Sequence, residues 1–179
     1  GESIDVHIGG QDLVFPHHEN EIAQSEAATG EQFVKYWLHV RLLETGGEKM
    51  SSSLENFFTV ENALAEFGVN PIRMFLVSAS YSQRQAYSEA TLSEAVERWE
   101  RLERAYDRAV AAIDSPDART KVVDEGLRSA VGEATKGFAD AMDDDFNTRK
   151  AVAELLAIAG AINTHLDAHD EYDYRGLRE

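Results

Sequence analysis

The spacing of apolar residues divides the chain into two regions of different character. From about residue 91 onward, apolar residues recur at alternating intervals of three and four, the period of an amphipathic helix. The segment Thr-Leu-Ser-Glu at 91–94 has the form of a capping box and predicts that the first helix begins at Thr91. We assign the apolar stripe of this helix to core packing: Leu92, Ala95, Trp99, Leu102, Tyr106, Ala109 and Ile113.

Two more helices are predicted after the break at 114–117. The second carries an apolar stripe from Val123 to Ala141, and the third runs from about Thr148 to Leu166. Three consecutive acidic residues at 143–145 precede the third helix, where carboxylates suit its positive end better than they suggest a cation site. Because each apolar stripe needs a partner, the pattern predicts a helical bundle.

The first region mixes short β-like runs with glycines. Apolar residues alternate with polar ones from Ile4 to Ile8, which predicts a strand that ends at Gly9-Gly10. A helix is expected from Pro16 to Gly30, and a second strand from Tyr36 to Leu43. If the two strands are parallel, ligands gather beyond their carboxyl ends, at the start of the helix.

Two residues on the predicted helix have the spacing of metal ligands. His17 and Glu21 stand four apart, so that both side chains project from one face and suit a zinc ion, whereas His18 is expected to point elsewhere. From spacing alone, a solvated histidine and glutamate is the simpler interpretation. The chain contains no cysteine, which excludes disulfides and thiolate ligands from its own residues.

Two further segments have the composition of nucleotide-binding sites. Gly9 and Gly10 permit close approach of a ligand to the backbone, and Asp12 is placed to bind a ribose hydroxyl, although a plain tight turn explains the glycines equally well. A loop before an apparent helix at Leu54 combines one cation with hydroxyls and is suited to phosphate, with a serine-capped helix as the alternative. The residues of this loop are Lys49, Met50, Ser51, Ser52 and Ser53.

Taken together, these segments resemble the cysteinyl-tRNA synthetases. The resemblance rests on HIGGQDLVFPHHENEIAQS at 7–25, YWLH at 36–39, EKMSSSL at 48–54 and AMDDDFNT at 141–148. It implies an α/β plus α fold, with the C-terminal half of a Rossmann-like class I catalytic domain at 1–58. Connecting helices that contact the stem would follow at 59–90, and a helical bundle of the tRNA-binding type at 91–179.

The resemblance also implies a reaction and its cofactors. Members of the family activate cysteine with ATP-Mg²⁺ to an adenylate and transfer it to tRNA(Cys), and their zinc ion holds the cysteine thiolate. By similarity, His17 and Glu21 would be two zinc ligands, with two cysteine ligands lying upstream of Gly1. Three other histidines would lie near the substrate: His7, His18 and His39.

Residues 49–53 would correspond to the KMSKS loop, which stabilises charge that develops on the ATP phosphates. Lys49 and Ser52 are the candidate catalytic residues, but Ser52 replaces the second lysine of the family loop and so removes one cation. The family's His-Ile-Gly-His motif is expected upstream of Gly1. We therefore expect the isolated chain neither to activate cysteine nor to bind zinc tightly.

We expect the whole protein to be cytoplasmic and monomeric. We expect no membrane partner, because no run of about 18 apolar residues occurs. One alternative is the related ligase that joins cysteine to an amino sugar in mycothiol synthesis. Another is a non-catalytic RNA-binding or interaction module, if the arginines of the first bundle helix cluster as a binding surface rather than pairing with neighbouring glutamates. Those arginines are Arg98, Arg101, Arg104 and Arg108.

The charge balance suggests a salt-rich environment. The chain carries 33 acidic residues against 17 lysines and arginines, a formal net charge of −16. This balance opposes nonspecific nucleic-acid binding, and it suits a surface that must stay hydrated where salt screens its self-repulsion. We predict that the melting temperature of the chain rises between low and molar KCl. A melting temperature that stays level or falls over this range would contradict a halophilic origin.

Overall fold

The computed structural model describes residues 3–45, 48–49, 59–114 and 124–168. The chain divides into two compact units. One comprises Gly1–Phe57 with Tyr81–Ser88, and the other comprises Phe58–Ser80 with Glu89–Glu179. In the described part of the chain, the first unit contains the strands and the candidate chemistry, and the second is helical. Residues 58–80 belong to the helical unit, whereas the sequence pattern places the change at about residue 90.

The first unit is built on two parallel strands joined by a helix. Strand β1 spans Ile4–Gly10 and pairs in parallel with β2, Val34–Val40. Helix α1, Glu19–Thr29, lies between them in sequence and ends at Gly30, whose φ of 75° requires a residue without a side chain. The predicted strand–helix–strand order is therefore present, with the second strand displaced toward the N-terminus by about two residues.

The entry into α1 differs from the single helix that the sequence predicts. A 3₁₀ turn, Gln11–Leu13, is followed by a π-helical turn, Val14–His18, inside which Phe15 has extended backbone angles. The helix prediction from Pro16 missed this change of winding, because side-chain periodicity does not report i→i+5 hydrogen bonds. The prediction that the first strand ends at Gly9-Gly10 is confirmed, because both glycines pair with β2 as the last two residues of β1.

Three further short strands lie in the described part of the first unit. Strand β3, Leu43–Thr45, pairs antiparallel with β4, Glu48–Lys49, and parallel with β5, Gln85–Tyr87. An ion pair of 2.7 Å between Arg84 and Glu44 accompanies the β3–β5 pairing. The backbone of Lys49 therefore belongs to a strand, where the sequence predicts a loop, and Gln85–Tyr87 is a strand inside the segment 59–90 predicted to be helical.

The described part of the second unit contains five helices. They are α2, Val60–Phe67; α3, Val69–Val77; α4, Glu89–Asp114; α5, Glu125–Asp143; and α6, Thr148–Ala168. The core of the bundle contains many small residues, including Ala95, Ala105, Ala134, Ala141 and Ala159, which let helices approach closely. Among the described residues, no helix has the length and apolar character needed to cross a membrane.

Two details of helix α4 correct the sequence prediction. The helix begins at Glu89, so Thr91 lies within its first turn instead of capping it. Tyr106, assigned to the core from its spacing, is 69% exposed, while Ala105 beside it is buried. On a helical wheel Tyr106 falls within the apolar stripe. In the structure, the neighbouring Ala105 is the residue that is buried, and the Tyr106 ring stays exposed.

Helix α6 is capped at its N-terminus by the side-chain amide of Asn147 and not by a carboxylate. Asn147 Oδ1 accepts a hydrogen bond of 3.2 Å from the backbone N–H of Lys150, in the first turn of α6. Asp145 and Phe146 both have positive φ, 52° and 51°, as the chain reverses direction. The sequence prediction assigned the α6 cap to the three aspartates and missed the role of Asn147.

Asp124 joins the start of α5 to the end of α6. Its Oδ1 accepts hydrogen bonds from the backbone N–H groups of Gly126 and Leu127, and its Oδ2 lies 2.6 Å from Nδ1 of the buried His165. The hydrogen bond with His165, followed by that from Leu127, lowers the pKa of Asp124 below its ordinary value of 3.8. The ionised carboxylate therefore stabilises the bundle.

We predict that Asp124→Ala lowers the free energy of unfolding by about 1–2 kcal/mol at neutral pH, the usual cost of losing an N-cap. Because the folded-state pKa is lowered, the stabilisation is present above the ordinary pKa and is lost as the pH falls through the lowered value. Denaturant unfolding at pH 7 and below pH 3.8 measures both effects, with the exposed Asp140→Ala on the same helix as the control. A difference between wild type and Asp124→Ala that persists undiminished at the lower pH would contradict this account.

Candidate functional site

One face of the β1–β2 sheet carries aromatic nitrogen-containing rings. The parallel register pairs His7 with Trp37 and Gly9 with His39, so that all four positions lie on the same face. The Trp37 ring stacks on His7 at a centroid distance of 4.6 Å and lies parallel to His39 at 5.9 Å. Because Gly9 has no side chain, it leaves room on this face for another group.

His18, at the end of the π-helical turn, lies over this face. It is only 3% exposed, its Nδ1 lies 2.9 Å from Nε2 of His39, and its ring centroid is 5.0 Å from that of His7. Burial lowers the pKa of His18, and the neighbouring imidazoles of His39 and His7 lower it further. His18 is therefore neutral near pH 7, the form in which imidazole binds metal ions.

Glu21, in the first turn of α1, faces the same cluster. Its Oε2 lies 3.8 Å from His7 Nε2, and its Oε1 lies 3.7 Å from His17 Nε2. Two polar atoms in this cluster, Glu21 Oε2 and His7 Nδ1, are buried and have no hydrogen-bond partner. Buried polar atoms without partners are costly, so their presence here indicates a place for a ligand.

The structure groups the candidate metal ligands differently from the sequence prediction. Ligand atoms of His7, His18 and Glu21 all lie within 4.8 Å of one another. His17, which the sequence pairs with Glu21, stays within reach of that carboxylate, but its side chain is 60% exposed. The expectation that His18 points elsewhere is wrong: the π-helical turn aims this residue at the sheet, a change that α-helical spacing does not anticipate.

The residues predicted to bind nucleotide are only partly described. Gly9 and Gly10 are the last two residues of β1, at its carboxyl end, and the exposed Asp12 follows in the 3₁₀ turn. The backbone of Lys49 pairs with that of Glu44. The side chain of Lys49 and residues 50–53 lie outside the described part of the chain, so their predicted contact with phosphate stays a prediction.

Sequence reasoning assigned no role to Trp37, although it contacts three of the histidines in the cluster. Two signals pointed to it. His7 shares a face of β1 with the polar Asp5, and Trp37 shares a face of β2 with the polar Lys35. Trp37 also stands two residues before His39, on that same face of β2. The register of the two strands was the missing information, because only the pairing brings Trp37 opposite His7.

Three of the four candidate arginines of helix α4 make ion pairs: Arg98, Arg104 and Arg108. Arg98 and Arg104 pair with the glutamates four residues before them, Glu94 and Glu100. Arg108 reaches across to helix α6, where it donates hydrogen bonds to side chains near its end. These contacts resemble a solvated helix face with local pairs more than a basic surface kept available for RNA.

Comparison with protein families defines the class of protein. The family described as tRNA synthetases class I (C) catalytic domain matches residues 1–97, and the DALR domain matches residues 137–178. The first match covers more than half of the chain and includes every residue of the cluster described above. The chain therefore belongs to the class I tRNA synthetases of the C type.

Relatives of high identity carry one name. The chain is 64% identical over 177 residues to the cysteine–tRNA ligase of Haloarcula marismortui, and 66% identical over 178 residues to that of Halobacterium salinarum. Each comparison covers 99% of this chain and 36% of the relative. The chain thus spans about a third of the length of the relatives it matches, two of which come from haloarchaea.

Solved structures share the fold at low sequence identity. The chain resembles the LeuRS of Agrobacterium radiobacter K84 in its ternary complex with tRNA and LeuAMS, with a TM-score of 0.74 at 17% identity. That comparison covers 97% of this chain and 24% of the LeuRS chain. A putative arginyl tRNA synthetase from Campylobacter jejuni gives a TM-score of 0.61 at 11% identity, over 92% and 39% of the two chains. These similarities confirm the predicted fold class, a part of a class I catalytic domain followed by helices.

Proposed function

We propose that the protein containing this chain is a cysteine–tRNA ligase. It activates cysteine with ATP to an adenylate and transfers the cysteinyl group to tRNA(Cys), in the cytoplasm and as a monomer. The chain would supply one wall of the amino-acid site, the KMSKS-type loop and part of the tRNA-binding helices. The rest of the catalytic domain would come from outside this chain, which spans about a third of its relatives.

One observation carries this proposal from family membership to chemistry. His7, His18 and Glu21 bring two imidazoles and a carboxylate within 4.8 Å of one another, over the face of the parallel β1–β2 pair. His18 also lies against Gly9, next to the carboxyl end of β1, where ligands bind in open α/β sheets. Two buried atoms without a hydrogen-bond partner, His7 Nδ1 and Glu21 Oε2, belong to the same three-residue group. The cluster therefore has both the position and the unused bonding capacity of a substrate site.

The donor set fits a zinc ion. Imidazole nitrogen and carboxylate oxygen are ordinary zinc ligands, and both occur here in a partly buried pocket. Glu21 would be one ligand and His17 a second, as the resemblance implies. His7 and His18 lie close enough to Glu21 to take the place of His17 or to hydrogen-bond the ligands. When bound, zinc would hold the substrate thiolate, and because a serine hydroxyl is a much poorer ligand, the metal would select cysteine.

The loop at 49–53 is proposed to act on ATP. Lys49 would bring positive charge to the phosphates, and the hydroxyls and amides of residues 51–53 would donate hydrogen bonds to them. Gly9, Gly10 and Asp12 were expected to contact the nucleotide, and their position at the carboxyl end of β1 is compatible with a ligand nearby. Ser52 replaces the second lysine of the family loop, so Lys49 would supply the positive charge of this loop alone.

Two observations bear on the alternative functions. The match of residues 137–178 to the DALR domain favours the tRNA enzyme over the amino-sugar ligase of mycothiol synthesis, because the helical region is where those two enzymes are expected to differ. The ion pairs of Arg98, Arg104 and Arg108 weigh against a non-catalytic RNA-binding module, since the arginines are already engaged with acidic side chains.

We predict that the purified full-length protein catalyses cysteine-dependent pyrophosphate exchange with ATP and charges tRNA(Cys), with no activity toward an amino-sugar acceptor and none with serine. Glu21→Gln should lower kcat/KM for cysteine at least about tenfold. Removing a group that only hydrogen-bonds a metal ligand already costs about tenfold or more, and loss of a ligand itself should cost no less. The matched control is Glu19→Gln, an exposed residue of the same helical turn, which should leave the rate unchanged.

Four results would count against the proposal. Charging of an amino sugar instead of tRNA would identify the mycothiol enzyme, and tRNA binding without exchange would identify a binding module. Exchange by the isolated chain would show that the part of the catalytic domain outside it is not needed. Equal losses in Glu21→Gln and Glu19→Gln would remove the cluster from the mechanism.

A further inference from the structure

Gly9 has an unusual environment for a strand glycine. A Cβ atom built on its backbone would lie 2.5 Å from Cε1 and 2.7 Å from Nε2 of His18. Separations below 3.0 Å essentially never occur for real Cβ atoms, so any side chain here would force the imidazole to move. The space that a side chain would fill at position 9 is the space that His18 occupies.

The backbone conformation of Gly9 does not explain why this residue is glycine. Among the described glycines, Gly30 and Gly68 have positive φ, and Gly9 is not one of them. It is an extended strand residue, paired in register with His39 of β2. Glycine is needed either for left-handed backbone or for close approach of another group, so close approach is the reason that remains.

His18 cannot move aside at low cost. It is 3% exposed, its Nδ1 is within hydrogen-bond distance of His39 Nε2 at 2.9 Å, and its ring lies among those of His7 and Trp37. Moving the ring away from β1 would break the contact with His39 and change its separation from His7. A methyl group at position 9 would contact only His18 among the cluster residues. Displacing His18 would nevertheless shift its contacts with the other members.

We infer that Gly9 is a positioning residue whose missing side chain seats the His18 imidazole beside His7 and Glu21. This gives Gly9 a role besides the close approach of the nucleotide that the sequence predicts. The group that approaches its backbone is a histidine of the same chain. The inference rests on the proposed function for its effect on substrate, but the contact between Gly9 and His18 does not depend on that function.

The neighbouring glycine offers a matched control. A Cβ atom on Gly10 would lie 2.5 Å from Oδ1 of Asp12, with the next atom of that side chain at 3.7 Å. Asp12 is exposed, and a small rotation about its side-chain bonds would relieve this clash. The same substitution in adjacent residues of one strand thus meets a confined imidazole at position 9 and a yielding carboxylate at position 10.

The test uses the full-length protein with Gly9→Ala, Gly10→Ala, His18→Ala and the double variant Gly9→Ala/His18→Ala. Chelator competition measures zinc affinity, thermal unfolding measures stability, and pyrophosphate exchange gives KM for cysteine and for ATP. We expect Gly9→Ala to weaken zinc binding at least about tenfold, as displaced supporting groups do, and to raise KM for cysteine more than KM for ATP. Gly10→Ala should change zinc affinity by less than about twofold, within the additivity error of independent sites.

The double variant isolates the contact. If the clash with His18 is the cause, Gly9→Ala should add no further loss of stability or zinc affinity once His18 has become alanine. Losses that add fully in the double variant would overturn the inference, as would an increase in KM for ATP with unchanged zinc affinity. If Gly9→Ala fails to fold, the double variant must fold, and its failure would equally reject the inference.

The outcomes separate this inference from the proposed function. Absence of cysteine-dependent exchange in the wild type would reject the proposed function while the stability of the four variants still reports on the Gly9–His18 contact. Absence of zinc binding in the wild type would overturn the positioning role, because the His18 imidazole would then have no metal site to support.

Discussion

The parallel register of β1 and β2 is the constraint on which the site depends. It places His7 opposite Trp37 and Gly9 opposite His39, so that three aromatic rings and one empty position share a single face. A shift of the register by one residue would turn every side chain of one strand to the other face and dissolve the cluster. The helix that follows β1 then brings His18 and Glu21 over this face, within reach of His7. Site and fold are thus determined by the same backbone hydrogen bonds.

Much of this arrangement could be predicted from the sequence. Alternation from Ile4 to Ile8 identifies the first strand, and the spacing of apolar residues identifies the helices of the bundle because burial imposes a period on each element. Residues that carry chemistry follow the strand ends, where ligands collect in α/β sheets. Spacing identified His17 and Glu21 as a pair, whereas His7, His18 and His39 were placed near the substrate only by the resemblance to the cysteinyl-tRNA synthetases.

The remaining details depend on interactions that sequence patterns do not encode. The π-helical turn at Val14–His18 aims His18 inward, and its hydrogen bonds leave no mark on side-chain periodicity. Gly9 looks like any glycine near a strand end until the imidazole above it is located. Tyr106 fits the apolar stripe of α4 but is exposed, since a helical wheel gives direction and not the distance to a partner. In each case, tertiary packing decided what local pattern left open.

The account turns on whether Glu21 and the neighbouring imidazoles form one metal-binding pocket. X-ray absorption at the zinc edge of the full-length protein loaded with zinc measures this directly, in the wild type and in Glu21→Gln, with Glu19→Gln as the control. We predict sulfur donors from the two upstream cysteines together with nitrogen or oxygen donors around zinc in the wild type and in Glu19→Gln, and fewer nitrogen or oxygen donors in Glu21→Gln. A zinc environment that is identical in all three proteins would contradict it.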